Sequence, residues 1–230
     1  MDGADRRCGW WRRPPRAWRH VDGLARRGSA AFPRLSRKRL DELLPRCLVA
    51  AESTPEASCW SLLPPRPRDL GEALCEAGFR DAWQAHWMAA ESCAKRAPLT
   101  LEGVEIGIVE QWEPTELPWD GAGITQVRRR LATERPRRVW HLAAWRAHEP
   151  VGHATVNVTT GPLGLAGIYD MGVAGDERRR GLGTALTLAA LELGRTAGCA
   201  IATLNATPEG EVLYRQLGFR FVGLAQTWWR

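Results

Sequence analysis

The chain has 230 residues, 44% of them apolar and 25% charged, which is the composition of a globular protein with a sizeable core. Its formal charge of +6 is uneven, because residues 1–40 carry +9 whereas the remaining 190 residues carry −3. The six cysteines form no Cys-x-x-Cys pair, and no apolar run reaches the roughly 18 residues of a membrane-spanning helix. With no apolar signal core near residue 1, we expect a cytoplasmic protein without a metal site or a membrane partner.

Residues 1–40 form a basic segment with little periodicity, in which residues 10–15 read Trp-Trp-Arg-Arg-Pro-Pro. Such a segment can bind nucleic acid or another acidic surface through its positive charge. It can equally be a solvated, flexible extension without a function of its own. We favour the second interpretation, so nucleic acid is not the expected partner.

Residues 41–98 contain short pieces of helix pattern, over 40–44 and 70–77, separated by a proline-rich break at 62–67. Residues 71–80 read Gly-Glu-Ala-Leu-Cys-Glu-Ala-Gly-Phe-Arg, which parallels Gly-Glu-Val-Leu-Tyr-Arg-Gln-Leu-Gly-Phe-Arg at 210–220 when one residue is skipped. This similarity predicts an internal repeat. Coincidence in a helix end rich in Gly, Glu, Ala and Leu is the alternative.

Residues 99–164 alternate between strand and helix patterns. Residues 104–110 alternate as a half-buried strand does, and 121–135 carry Ile124, Val127 and Leu131 on one helical face. Residues 139–145 and 151–158 predict a β-hairpin, and 159–164 a loop. The following apolar run, 166–173, predicts a buried strand.

The chain is organised around the turn that follows this strand, where a long helix pattern begins at Leu182. The first N–H groups of a helix have no partner within it and carry the positive end of its dipole, so they favour an anion. Glycines here let a ligand approach the backbone closely, and guanidinium and hydroxyl groups add donors. The predicted phosphate-binding residues are Arg178, Arg179, Arg180, Gly181, Gly183 and Thr184.

Two alternatives for this turn are disfavoured by its residues. A dinucleotide-binding Gly-x-Gly-x-x-Gly would need a third glycine where Leu186 stands, and a Walker-type Gly-Lys-Ser/Thr is absent. Downstream, residues 200–204 predict a strand and 209–217 a helix that ends at Gly218.

The two motifs together resemble the GNAT superfamily of acetyl-CoA-dependent N-acetyltransferases. Residues 178–183 resemble the family's pyrophosphate-binding signature, Gln/Arg-x-x-Gly-x-Gly/Ala, and Val173 is the valine common five residues earlier. Residues 213–219 resemble the Leu-Tyr-x-x-x-Gly-Phe run that closes many GNAT domains. Gly175 stands where a proline is frequent, which is a mild departure.

The resemblance implies an α/β fold with a mixed sheet. Residues 99–230 would form the catalytic GNAT domain, 41–98 a degenerate GNAT-like segment and 1–40 the extension. Since the first segment has no glycine turn, we expect it not to bind cofactor. Only the last strand of the catalytic domain looks short, because the pattern stops at Arg230.

The resemblance also implies roles for individual residues. Met171 and Val173 would hold the pantetheine arm of acetyl-CoA through their backbone, and the Asn205 side chain would contact this arm or the adjacent bulge. Tyr214 would protonate the departing thiolate, since a phenol with a pKa of about 10 is protonated at neutral pH; packing alone is its alternative. Asp170 is the candidate general base, with a structural carboxylate as an equally supported interpretation.

Other ionisable residues on the predicted strands are Glu110, His141 and His153, and we do not favour them as the base. The expected function is acetyl transfer to an amine of a small molecule or a protein, without an acyl-enzyme and without a metal. The alternative is a non-catalytic protein that senses acyl-CoA or binds nucleic acid through its basic segment. A homodimer stays open.

Overall fold

The computed structural model describes residues 28–31, 36–51, 57–91, 97–110, 133, 135–159 and 164–230. In chain order the elements are β1 (Gly28–Ala31), α1 (Arg37–Ala51), β2 (Ala57–Leu62), α2 (Leu70–Glu76), β3 (Arg80–Glu91), β4 (Val104–Ile108), β5 (Val139–Arg146), β6 (Glu149–Val158), β7 (Leu165–Val173), α3 (Leu182–Thr196), β8 (Ile201–Ala206), α4 (Pro208–Gln216) and β9 (Arg220–Trp229). They form two compact units.

The first unit contains the described residues up to Ala85 together with Gly223–Arg230. In it β1 pairs in parallel with β2, and β2 pairs antiparallel with β9. Its buried core consists of Leu40, Cys59, Leu70, Ala73, Leu74, Phe79 and Trp228. The helix pattern predicted over 70–77 is therefore confirmed as α2, whose apolar side faces this core.

The second unit spans His86–Val222. Its strands follow the order β3, β8, β7, β6, β5, β4, with β3 contributing the residues from His86 onward. β7 and β8 are parallel, whereas the other neighbours are antiparallel. The strand predicted over 166–173, the hairpin of β5 and β6 and the helix from Leu182 are all confirmed.

Helix α3 packs on one face of this second sheet. Leu186 is fully buried and lies against Gly152 on β6, and Gly194 lies against Ala166 on β7. A Cβ on Gly194 would be 2.7 Å from the Ala166 side chain, so the helix approaches the strand more closely than any larger residue would allow. Close packing at these glycines fixes where α3 begins relative to β7.

The two segments that predicted a repeat end their helices in the same way. Gly78 and Gly218 have φ of +86° and +84°. After them, Phe79 donates its N–H to Leu74 O, and Phe219 donates to Tyr214 O. Both helices thus close with a left-handed glycine and lead into a strand. Descent of residues 41–98 from a GNAT-like copy stays a prediction.

Several expectations have other outcomes. The expectation of a short last strand is wrong, because β9 has ten residues and pairs with β2 from Leu62 to Ser58. Most of the helix predicted over 121–135 and residues 1–27 lie outside the described residues.

Strand β3, with twelve residues, had no clear alternation to predict it. No helix in the described ranges is long and apolar enough to cross a membrane, and those ranges contain no metal-binding group of His, Cys, Asp or Glu.

Leu186→Ala should lower the free energy of unfolding by about 2–5 kcal/mol, because it leaves a cavity between α3 and the sheet. Val212→Ala on the exposed side of α4 is the matched control and should stay within about 0.5 kcal/mol of the unaltered protein. Chemical denaturation monitored by tryptophan fluorescence measures both. Equal stability of the two variants would contradict the packing of Leu186.

Candidate functional site

Strands β7 and β8 separate at their carboxyl ends. They pair in parallel only from Leu165 to Ile168 and from Ile201 to Leu204. Beyond these positions β7 continues beside β6, and Asn205 of β8 pairs with Trp87 of β3. A gap therefore opens between residues 169–173 and the end of β8. Ligands of α/β sheets bind at such a place, outside the carboxyl ends of strands whose neighbours diverge.

A β-bulge bends β7 at this gap. Tyr169 lies opposite Thr155 and Gly172 opposite His153, so Asp170 and Met171 share a single partner position on β6. Asp170 has φ of +51°, which is uncommon for a residue other than glycine. Bulges re-aim side chains and concentrate near active sites. The bulge therefore gives the Asp170 side chain a direction that differs from the one it would have in a regular strand.

The predicted phosphate-binding turn lies between β7 and α3. Gly181 has φ of +87° and is the residue immediately before α3, while Gly183 is the second residue of the helix. The first N–H bonded within the helix is that of Ala185, which donates to Gly181 O at 2.9 Å. The N–H groups of residues 182–184 precede it and are oriented out of the helix end. This arrangement suits an anion.

Glycine is required at Gly181 for two physical reasons. Its φ lies in the left-handed region, where a Cβ is strained. A Cβ there would also be 3.3 Å from Leu101 Cδ2. Thr184 is half-buried in the first turn of α3, so its hydroxyl lies close to the same helix end.

The three arginines of the turn are exposed. Arg178 Nε donates to Val173 O at 3.3 Å, which holds its side chain along the end of β7. Arg180 lies 3.5 Å from a carboxylate oxygen of the buried Glu177, which also binds Arg146 at 3.0 Å. Glu177 was not among the predicted site residues. An acidic residue next to three arginines is nevertheless a sequence signal for a carboxylate that anchors the turn.

Tyr214 reaches the bulge from α4. Its hydroxyl donates to Met171 Sδ at 3.5 Å, and its ring packs edge-on against Phe219. Burial raises the pKa of the Tyr214 phenol above its ordinary value of 10.0. The structure therefore brings together Tyr214 and Met171, which lie 43 positions apart in the sequence.

Helix α4 is held at both its first turn and its side. Thr207 accepts the N–H of Gly210 at 3.1 Å as an N-cap. Glu211 is hydrogen-bonded to His86 Nδ1 on β3 and accepts from Arg215 at 2.6 Å. The hydrogen bond with His86, followed by that with Arg215, lowers the pKa of Glu211 below 4.5. His86 had no sequence signal that pointed to this role.

Asn205 lies where β8 leaves β7. Its Oδ1 is buried and, among the described residues, has no hydrogen-bond partner. Buried polar atoms are almost always hydrogen-bonded, so this oxygen is available to accept a hydrogen bond.

The other face of β6 and β7 carries a polar group of residues. His153 is buried, and its Nε2 lies 3.6 Å from Asp170 Oδ1. His141 is also buried and is hydrogen-bonded through Nδ1 to Thr155 Oγ1 at 3.1 Å. Glu110 forms an exposed ion pair with Arg137 at 2.7 Å. Of the three residues that the sequence did not favour as the base, His153 lies beside Asp170, which is a predicted site residue.

Comparison with known proteins adds a family match. Residues 108–219 match the family model described as the acetyltransferase (GNAT) family. No curated protein matches the chain.

Several solved structures are similar over most of the chain. A GCN5-related N-acetyltransferase from Kribbella flavida is 19% identical, over 87% of this chain and 80% of that one, with a TM-score of 0.60. A tandem GNAT protein from the clavulanic acid biosynthesis pathway, solved without AcCoA, is 19% identical over 89% and 75%, with a TM-score of 0.61. A GCN5-related N-acetyltransferase from Sphaerobacter thermophilus is 17% identical over 88% and 72%, with a TM-score of 0.58. At these identities the similarity shows the fold, and it confirms the predicted fold class.

Gly181→Val should destabilise the protein by about 1–3 kcal/mol, because it forces a branched side chain into the left-handed region beside Leu101. Gly175→Ala in the same turn is the control, since a Cβ there meets nothing within 4 Å. Denaturant unfolding of both variants measures the difference. If Gly181→Val were as stable as Gly175→Ala, the described turn would be incorrect.

Proposed function

We propose that this chain, whose residues 108–219 belong to the acetyltransferase (GNAT) family, transfers an acetyl group from acetyl-CoA to a primary amine of a small molecule or a protein. The observation that carries this function is the gap between β7 and β8, from which the chain runs directly to Gly181. A fold alone does not define an activity, so the residues at this gap decide it.

The residues at the gap are suited to hold acetyl-CoA. The N–H groups of residues 182–184 would donate hydrogen bonds to its diphosphate, with Arg178, Arg179, Arg180 and the Thr184 hydroxyl as further donors. The separated edge of β7 at Met171 and Val173 offers backbone groups to the amides of the pantetheine arm. The unpartnered Oδ1 of Asn205 supplies an acceptor on the other side of the gap.

Acetyl transfer then proceeds by direct attack. A neutral amine forms a bond with the thioester carbonyl carbon, the carbon–sulfur bond breaks, and the thiolate of CoA takes a proton. Tyr214 is the proton donor, because its hydroxyl contacts Met171 and burial raises the pKa of its phenol, which keeps it protonated. Asp170 is the proton acceptor for the amine, since its carboxylate is 42% exposed at the bulge.

Residues 41–98 are proposed to be a degenerate copy that does not bind acetyl-CoA. This segment shares with residues 99–230 the helix closure at Gly78 and Gly218. A protein with a similar fold is itself described as a tandem GNAT protein. The first unit carries Cys75, which is exposed, near the position that corresponds to Tyr214.

Millimolar acetyl-CoA should raise the melting temperature, because a ligand that binds only the folded state stabilises it by mass action, by about 2.7 kcal/mol at 100 times its Kd. S-acetylpantetheine lacks the diphosphate and is the matched control ligand, which should produce a much smaller shift. Differential scanning fluorimetry measures both. Equal shifts, or none with acetyl-CoA, would count against the phosphate-binding turn.

Release of free thiol from acetyl-CoA separates an enzyme from a sensor of acyl-CoA. The acceptors to be tested are a polyamine, an amino sugar, a free amino acid and a lysine-containing peptide. Thiol release that depends on one of these amines supports the enzyme. A thermal shift with acetyl-CoA, but no release of thiol from it in the presence of any of these amines, would favour the sensor.

Tyr214→Phe should lower kcat by about 100-fold and leave the thermal shift with acetyl-CoA unchanged, because it removes a proton donor and keeps the ring. The control is Tyr169→Phe, which removes the other phenol of raised pKa, on β7. Since the acid form is required and burial raises the pKa of Tyr214, the rate should be maintained at neutral pH and fall only above about pH 10. Equal turnover of the Tyr214 variant would remove this residue from the mechanism.

A further inference from the structure

We infer that Asp170 and His153 form a proton-accepting pair, in which Asp170 meets the attacking amine and His153 is the positioning residue behind it. This inference deepens the proposed function and rests on it. Four observations support it: the face on which the pair lies, the exposure of its two members, the fit of the imidazole against Gly172, and the charges around it.

The pair lies on the face of the sheet opposite to α3. Directly opposite residues of antiparallel strands share a face, so His153 lies on the same face as Gly172. Met171, one position earlier, points the other way, because it contacts Thr187 of α3 and Tyr214 of α4. The bulge therefore separates the proton donor from the proton acceptor. The donor for the thiolate lies on the face of the sheet that α3 covers, and the acceptor for the amine lies on the opposite face.

The exposures of the two side chains give the order in which a proton would pass. Asp170 is 42% exposed and His153 is 6% exposed. An amine arriving from solvent meets the carboxylate first, with the imidazole behind it. Their distance of 3.6 Å is longer than a hydrogen bond, and catalytic contacts of this kind commonly shorten when substrate binds.

His153 is placed by the glycine opposite it. A Cβ on Gly172 would lie 2.7 Å from His153 Cε1, so the imidazole occupies the space that any other residue would fill. Met171 and Val173, on either side of this glycine, are proposed to hold the pantetheine arm. The imidazole therefore lies against the strand segment that would hold this arm.

A pair is chemically better suited than the carboxylate alone. An ordinary carboxylic acid has a pKa of about 4, so its anion is a weak base towards an ammonium group with a pKa near 10. An ordinary imidazole, with a pKa of about 6.5, takes a proton more readily. In the proposed sequence the amine gives its proton to the Asp170 carboxylate, which passes it to His153 Nε2. The product is an imidazolium beside a carboxylate, and solvent later removes the proton.

The described groups around His153 are compatible with this step. From β7, Asp170 and Tyr169 lie on its face, and burial raises the pKa of Tyr169, which keeps that phenol neutral. From β5, His141 lies on the same face and is hydrogen-bonded to Thr155. Of the described groups on this face, Asp170 is a charged group whose Oδ1 lies 3.6 Å from His153 Nε2. The imidazolium that the step creates therefore forms beside a carboxylate.

His153→Gln and Asp170→Asn should each lower kcat for thiol release by about 10- to 100-fold near neutral pH, with an unchanged KM for acetyl-CoA and an unchanged thermal shift. The double variant should be no slower than either single variant, because the two residues act as a unit. His141→Gln is the matched control, a buried histidine on the same face, and should retain kcat within about twofold. The measurement uses acetyl-CoA and the best acceptor of the amine panel.

The pH dependence distinguishes proton acceptance from a structural role. At alkaline pH the amine arrives already neutral, so the deficit of both variants should shrink as the pH rises from 7 to 10. A deficit that is constant with pH would overturn the inference. Asp170→Asn decides the matter if His153→Gln does not fold, because Asp170 is half exposed and asparagine tolerates its left-handed backbone.

The inference and the function on which it rests fail in different ways. No thiol release by the unaltered protein with any amine would remove the acetyltransferase function and the proton-accepting pair together. Thiol release by the unaltered protein, matched by both variants at every pH, would remove the pair alone.

Discussion

The separation of β7 from β8 after Ile168 and Leu204 is the constraint on which the candidate site depends. Each strand keeps its other neighbour, because β7 stays beside β6 and β8 stays beside β3. The sheet is thus stable on both sides of the gap while the facing edge of residues 169–173 is left to other partners. Backbone polar groups that lose a strand partner must be satisfied by water or by a ligand. A ligand that carries amides of its own, such as a pantetheine arm, suits this edge.

Two backbone features lie near this edge and make the two ends of the candidate site different from one another. The bulge at Asp170 turns one side chain out of the alternation, and the left-handed Gly181 ends the turn so that the first N–H groups of α3 have no partner within the helix. Both backbone conformations are energetically unfavourable for most residues, and such conformations persist where the surrounding structure enforces them. Here the buried Glu177, bound to Arg146 and Arg180, and the close packing of α3 supply that support.

The position of Tyr214 shows how much the candidate site depends on residues outside it. The Leu-Tyr motif places a phenol on a helix but does not say where the helix lies. Its position is set by the N-cap of Thr207 and by Glu211, which joins α4 to His86 on β3. The phenol then meets Met171 at the bulge, on the opposite side from His153.

The sequence by itself determined the strand before the turn, the glycine-rich turn, the start of α3 at Leu182 and the closure of α4 at Gly218. These features depend on local signals, namely hydrophobic periodicity and the freedom of glycine to adopt a positive φ. Only the tertiary structure decided that His153 lies beside Asp170, that His86 binds Glu211 and that β9 pairs with β2 from Ala225 to Trp229. Such contacts depend on strand register, and a slip of one residue would turn each side chain to the other face. Register is fixed by pairing between distant segments, which no local pattern in the chain records.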